Sequence, residues 1–170
     1  MLSRLFPGLT RDRSRGAPLM QAVASVARDR HWYVEGEVPD TVDGRFRMLA
    51  TIAALVVVRL ESFGSGGDAV SVALTEQYAD LMETEHREIG LGDPALGKKV
   101  RLLIGALARR VGVWWSVQSG EPDWASATRD SIYEAEPAAG ALAWTSETLQ
   151  AFWRRLEAAD LSAIEEGRLG

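Results

Sequence analysis

The chain has 170 residues, which is long enough for one domain and too short for two complete ones. Its hydrophobic share of 46% and charged share of 25% are those of a globular protein, and its net charge of −5 argues against a dedicated DNA-binding domain. Cysteine is absent, which excludes disulfides, thiolate metal sites and thiol catalysis, and two histidines are too few for a three-imidazole site within one chain.

The N-terminal segment, residues 1–15, is basic and amphipathic. It carries four arginines against Asp12, and Leu2, Leu5, Phe6 and Leu9 give it one apolar side at helical spacing. It has neither the long apolar core nor the small-residue cleavage site of a secretory signal. Two interpretations stay open, a solvated arm and a short segment that touches an anionic membrane or RNA. We predict a flexible basic arm over residues 1–17, followed by one helical domain over residues 18–170.

The longest apolar run, Met48–Val58, predicts a buried central helix. It lies between Arg47 and Arg59 and is far shorter than the roughly 20 apolar residues that a bilayer span needs. A buried strand is the alternative, but the pattern continues through Phe46 and Leu60, which favours the helix. The residues that we expect in the core are Met48, Leu49, Ile52, Leu55 and Val56.

Breaks rich in glycine and proline divide the rest of the chain into further helices. We interpret Gly64–Gly67 as a linker, and we expect further breaks at Gly90–Pro94 and Ser119–Pro122. The periodic segments between them predict helices over 70–89, 95–117, 124–135 and about 145–159. Gly97, Gly105 and Gly112 recur along the second of these and predict close packing against a neighbour. The fold class is therefore all-α, a single-domain bundle of about five to seven helices.

The sequence contains no convincing catalytic, cofactor or metal site. Glu83 and His86 have the Glu-x-x-His spacing of one half of a di-iron site, but no second such element exists in the chain. His31 has no evident nucleophile beside it, and no phosphate-loop or nucleophile-elbow motif occurs. We therefore predict no catalytic residues, no metal and no cofactor.

Charge is segregated between two consecutive helices. Residues 76–93 carry six acids against Arg87 alone, whereas residues 98–110 carry five basic residues and no acid. The two helices could pair along their edges, or the basic one could be exposed to an acidic partner or RNA. On the second interpretation, the predicted partner-binding face consists of Lys98, Lys99, Arg101, Arg109, Arg110, Trp114 and Trp115.

Several short stretches occur in an order and spacing that resemble the ubiquinol–cytochrome c chaperone family over about residues 20–135. They are 31–33, 40–48, 59–60, 74–82, 87–93, 97–100 and 112–115. The motif residues that carry the resemblance are Trp32, Asp40, Gly44, Arg45, Phe46, Arg59, Asp80, Arg87, Glu88, Gly90, Lys98 and Gly112.

The resemblance implies an assembly chaperone for the ubiquinol–cytochrome c reductase complex (respiratory complex III), and not an enzyme. Its expected client is newly made cytochrome b, and mitochondrial members work at the ribosomal exit tunnel with a small partner. The chain starts close to the shared region and has seventeen arginines against two lysines, so we expect a bacterial member. It would lie in the cytoplasm or peripherally at the inner membrane. Alternatives are a ribosome- or RNA-associated adaptor, and a small enzyme in which His31 or His86 meets carboxylates in a pocket.

Overall fold

The computed structural model describes residues 16–88, 90 and 92–170. These residues form eight helices and no strand: α1 (Ala17–Ala27), α2 (Arg30–Val34), α3 (Val42–Glu61), α4 (Ser65–Glu88), α5 (Asp93–Gln118), α6 (Trp124–Ile132), α7 (Ala139–Ala158) and α8 (Leu161–Glu165). Six helices have nine or more residues, and α2 and α8 have five each. The predicted all-α bundle is confirmed. The predicted arm lies outside the described residues over positions 1–15.

The central helix is α3, as predicted. It packs against α1, α4, α5, α6 and α7, and every residue of the run Met48–Val58 is buried. The five expected core residues are all among them. At its start, the Thr41 hydroxyl accepts a hydrogen bond from the Gly44 amide at 3.0 Å, which caps the helix.

The predicted linker at Gly64–Gly67 is wrong. Residues 62–64 form a tight turn, and α4 begins at Ser65, so two of the glycines lie in its first turn. A Cβ atom at Gly67 would lie 1.7 Å from the Leu60 carbonyl oxygen. Glycine stands there because two helices approach closely, and not because the chain is flexible.

Helix α5 matches its predicted extent to within two residues, and Pro94 lies in its first turn, where proline is tolerated. The expected close packing of its glycines is wrong. A Cβ built at Gly112 would have no described atom of another helix within 4 Å, and a Cβ at Gly105 would meet only the Arg109 side chain of α5 itself. One side of this long helix is therefore open.

The C-terminal helices are tied to the α2–α3 connection through a buried polar group. Tyr133 donates a hydrogen bond to the Gly36 carbonyl oxygen at 2.5 Å, and its hydroxyl lies 2.8 Å from that of Thr145. Helix α7 begins at Ala139, six residues before the predicted start, and it includes Gly140. In the described part, no helix is long and apolar enough to cross a membrane.

Candidate functional site

An apolar groove of about 650 Å³ opens where α2, the start of α3 and the second half of α4 meet. Its apolar lining comes from Val34, Val42, Phe46, Leu49, Leu81 and Met82. Two of these are exposed, Val34 at 51% and Val42 at 60%. Only five large hydrophobic residues are exposed in the described part of the chain, so two of the five lie in this groove.

Charged side chains surround the apolar lining of the groove. Arg45 donates to Asp40 at 2.6 Å, and Arg28 donates to Glu85 at 3.4 Å. The hydrogen bond from Arg45 holds the pKa of the Asp40 carboxyl below its ordinary value. Arg30 also lines the groove, and it forms no ion pair with a described residue. Both carboxylates of the lining are therefore paired, whereas one of its three arginines is not.

The groove wall on α3 is supported from behind by His86. The Phe46 ring stacks on the imidazole, with ring centres 4.9 Å apart and an interplanar angle of 21°. His86 is buried, and its Nδ1 lies 2.9 Å from the Met82 carbonyl oxygen. Because a carbonyl can only accept, Nδ1 carries the proton. The histidine therefore positions Phe46.

The short helix α2 is held against α1 by two side-chain hydrogen bonds. The Trp32 indole donates to the Val26 carbonyl at 2.8 Å, and the Tyr33 hydroxyl donates to the Ala27 carbonyl at 2.8 Å. Burial raises the pKa of the Tyr33 hydroxyl above its ordinary value, so the donor stays protonated at neutral pH. These bonds set the side of the groove that carries Val34.

The predicted basic face on α5 is exposed and is not paired with α4. Lys98, Arg101 and Arg109 are exposed, Lys99 is half-buried, and none of the four forms an ion pair with a described residue. Acids of α4 have other partners: Glu83 pairs with Arg87 at 2.6 Å and Glu85 pairs with Arg28. The interpretation in which the two helices pair along their edges is wrong for the described residues.

Two predicted members of this face point inward. The Arg110 guanidinium donates to the Ser131 carbonyl at 2.7 Å, and burial lowers its pKa from the ordinary value. Trp114 is fully buried, with its ring 5.1 Å from that of Trp124. The two side chains lie about 100° or more around the helix from the open side, because an α-helix turns 100° per residue.

The basic face is therefore smaller than predicted, and it includes one apolar residue that the sequence did not single out. Trp115 remains, at 39% exposure, with its indole donating to Glu61 at 2.6 Å, and Leu102 joins it at 58% exposure. From here on, the basic face means Lys98, Lys99, Arg101, Leu102, Arg109 and Trp115.

The remaining motif residues are spread over the groove, α4, the turn that follows α4, α5 and the end of α7. Asp40, Arg45 and Phe46 line the groove. Gly44 is next to Arg45 in α3, and a Cβ atom there would lie 2.0 Å from the Pro39 carbonyl oxygen. Asp80, Arg87 and Glu88 are exposed on α4, Gly90 turns the chain with φ +94°, and Lys98 and Gly112 lie on the open side of α5. Arg59 binds the end of α7.

The histidines do not come together. His31 lies 3.0 Å from Asp29 and contacts the rings of Trp32 and Trp144, whereas His86 contacts Phe46. Neither histidine lines the groove. Across the described positions, no three His, Cys, Asp or Glu side chains are close enough together to hold a metal ion.

Several groove residues escaped the sequence analysis. Arg28, Arg30, Val34 and Glu85 lie in none of the family-like stretches, and Val42, inside the stretch 40–48, was not singled out. The five residues come from α2, α3, α4 and the position that follows α1. The sequence offered one signal for the two valines, since both lie within residues 31–48, where the family-like stretches are dense. Their exposure, however, depends on how the helices pack.

Comparison with known proteins supports the resemblance to one family. The model of the ubiquinol-cytochrome C chaperone family matches residues 35–114, which cover α3, α4 and α5 as far as Trp114. Over these residues the chain is similar to the ubiquinol-cytochrome C chaperone family. The matched segment supplies most of the groove and most of the basic face.

A solved structure extends the likeness to nearly the whole chain. The crystal structure of the Cbp3 homolog from Brucella abortus aligns with a TM-score of 0.75 and 22% sequence identity, covering 98% of this chain and 94% of that one. At this identity, the alignment shows that the two chains share a fold. A search of curated protein sequences found no significant match.

Proposed function

We propose that this protein is an assembly chaperone for the ubiquinol–cytochrome c reductase complex that binds newly made cytochrome b. The observation that carries the proposal is the family match over residues 35–114. The same residues form the central helix and the two helices beside it, so the match covers most of both candidate surfaces.

The chemistry of the client supports this proposal. Cytochrome b is a hydrophobic membrane protein, so a protein that holds it must offer apolar area without aggregating itself. A groove with exposed Val34 and Val42, surrounded by arginines and carboxylates, has this composition. The proposed role needs no reaction, cofactor or metal.

The basic face supports a location beside the membrane. Anionic headgroups attract each nearby Lys or Arg by about 1 kcal/mol, and tryptophan favours the membrane interface. Leu102 is exposed between Arg101 and Arg109 on the same side of α5, and an apolar side chain suits lipid better than RNA. We therefore propose peripheral contact with the anionic inner membrane. A ribosomal contact near the exit tunnel is the alternative for the same cations.

Deleting the gene in the source organism tests the function. We expect cytochrome b to be made at a normal rate and then degraded, with the assembled complex falling severalfold and other respiratory complexes unchanged. A plasmid copy should restore the complex, and so should a copy carrying His31→Gln, because His31 does not line the groove. Normal levels of the complex after deletion would contradict the proposal, and failure of the His31 variant with normal folding would favour the enzyme alternative.

A further inference from the structure

The apolar groove between α2, α3 and α4 has the chemistry of a docking site for one kind of segment. We propose that it binds an amphipathic helical segment of the client that carries a single acidic side chain. This inference rests on the proposed function for the identity of the client, but not for the chemistry of the segment.

The apolar lining favours a helix over an extended peptide. The described residues contain no strand, so the groove presents no sheet edge on which an extended chain could continue a hydrogen-bond ladder. An extended segment would therefore bury unpaired backbone groups against Phe46, Leu49 and Leu81. A helix satisfies its own backbone groups and can present an apolar stripe to the groove.

The charges around the groove favour an acidic side chain on that helix. Asp40 is bonded to Arg45 and Glu85 to Arg28, so a basic segment would find both carboxylates of the lining engaged. Arg30 is exposed and has no ion pair with a described residue, so it can accept a new acidic partner. The unpaired charge of the groove is therefore positive.

The same argument disfavours two other occupants. Residues 1–15 of this chain carry four arginines against Asp12, which is the wrong sign for Arg30. A second copy that offered its basic face would also bring cations. Both occupants are tested below.

The experiment uses the full chain and a fluorescein-labelled peptide of about 18 residues, roughly five helical turns. The peptide consists of Ala and Gln with leucines at i, i+3, i+4 and i+7 spacing and one central Glu, and a second peptide has Lys in place of Glu. By fluorescence anisotropy, we expect the Glu peptide to bind about tenfold more tightly than the Lys peptide. Arg30→Glu should reverse that order. Equal binding of the two peptides, or an unchanged order in Arg30→Glu, would overturn the proposal.

Two exposed valines give a matched pair of variants. Val42→Glu places a charge in the groove, and it should fold normally because an acidic residue is favourable in the first turn of α3. Val72→Glu makes the same change at 52% exposure on α4, where the residue does not line the groove. We expect Val42→Glu to weaken binding of the Glu peptide at least tenfold and Val72→Glu to leave it unchanged. Equal effects of the two changes, with both variants melting like the wild type, would overturn the proposal.

Further measurements separate the occupants and the function. Tighter peptide binding after Leu5→Ala and Phe6→Ala would show that the chain's own arm fills the groove. A dimer in sedimentation that Val42→Glu alone dissociates would assign it to a second copy. Either result overturns the proposal. If cytochrome b is captured equally by the wild type, Val42→Glu and Val72→Glu, the groove proposal fails and the function stands. If the peptide results hold but the wild type captures no cytochrome b, the proposed function fails and the groove chemistry stands.

Discussion

Arg59 shows how a single residue secures the end of a helix. Its guanidinium donates to the carbonyl oxygens of Leu156, Glu157 and Ala159 at 2.9 to 3.1 Å, and it lies 4.0 Å from the centre of the Phe63 ring. The last carbonyls of a helix have no partner within the helix, so this cation satisfies the end of α7. The family-like motif residue Arg59 therefore has a structural role.

Arg59→Lys tests this role. An ammonium group cannot span three carbonyls in the plane of a guanidinium, so we expect a loss of about 1–3 kcal/mol in the free energy of unfolding. Urea denaturation followed by circular dichroism measures it. Arg154→Lys is the control, since Arg154 is exposed on α7 and should change stability by less than about 0.5 kcal/mol. Equal effects of the two changes would show that the Arg59 bonds contribute little.

A substitution at Leu55 tests whether α3 is the central helix of the core. It is fully buried in α3, so Leu55→Ala should cost about 2–5 kcal/mol through lost burial and the cavity left behind. The matched change Leu102→Ala removes the same atoms at 58% exposure and should cost much less, and the same urea titration compares them. A small loss at Leu55 would be inconsistent with a central α3.

The burial of single side chains could be predicted from the sequence in some places and not in others. The burial of Met48–Val58 could be predicted because an uninterrupted apolar run has no polar side to expose. The difference between Trp114 and Trp115 could not, because adjacent positions point about 100° apart and the sequence does not say which faces the bundle. The inward direction of Arg110, whose guanidinium donates a hydrogen bond to the Ser131 carbonyl, could not be predicted for the same reason.

Helix α5 carries several exposed cations that form no ion pair with a described residue. Proline and glycine marked its ends in the sequence, so its extent was predictable to within two residues. Its charge partners were not predictable, because pairing with α4 depends on how the two helices are rotated. In the structure, Arg28 and Arg87 pair with acids of α4, which leaves the cations of α5 without ion pairs in the described residues.

Reversing charge on α5 tests the basic face. Lys98→Glu, Lys99→Glu and Arg101→Glu together should abolish most binding to vesicles containing anionic lipid while leaving the melting temperature nearly unchanged, because these residues form no ion pair with a described residue. Vesicle co-sedimentation and thermal melting of the same purified variant measure both properties.

A matched control carries the same change of charge elsewhere. Arg87→Glu, Arg154→Glu and Arg168→Glu together reverse three exposed arginines outside α5 and should leave vesicle binding intact. Loss of binding in both triple variants would indicate attraction by net charge alone. Loss of ribosome binding, with vesicle binding retained, would assign the face to RNA.

The groove exists only because several helices pack together in the folded molecule. The all-α class, the central helix and most breaks followed from local patterns. The groove did not, because it joins residues far apart in the chain: the Arg28–Glu85 pair that closes one side links positions 57 residues apart. The glycine at position 67, in the first turn of α4, also depends on packing, since the close approach of the Leu60 backbone excludes a side chain there.

The proposed function requires that this protein holds cytochrome b before the complex is assembled. The most direct test is to pulse-label new proteins in the source organism, capture the tagged full chain from membranes solubilised in mild detergent, and follow labelled cytochrome b during a chase. We expect cytochrome b on the chaperone immediately after the pulse, and we expect it to leave as the assembled complex gains label. If cytochrome b never co-purifies, or is captured only from the finished complex, the protein does not hold cytochrome b before assembly and the proposed function is wrong.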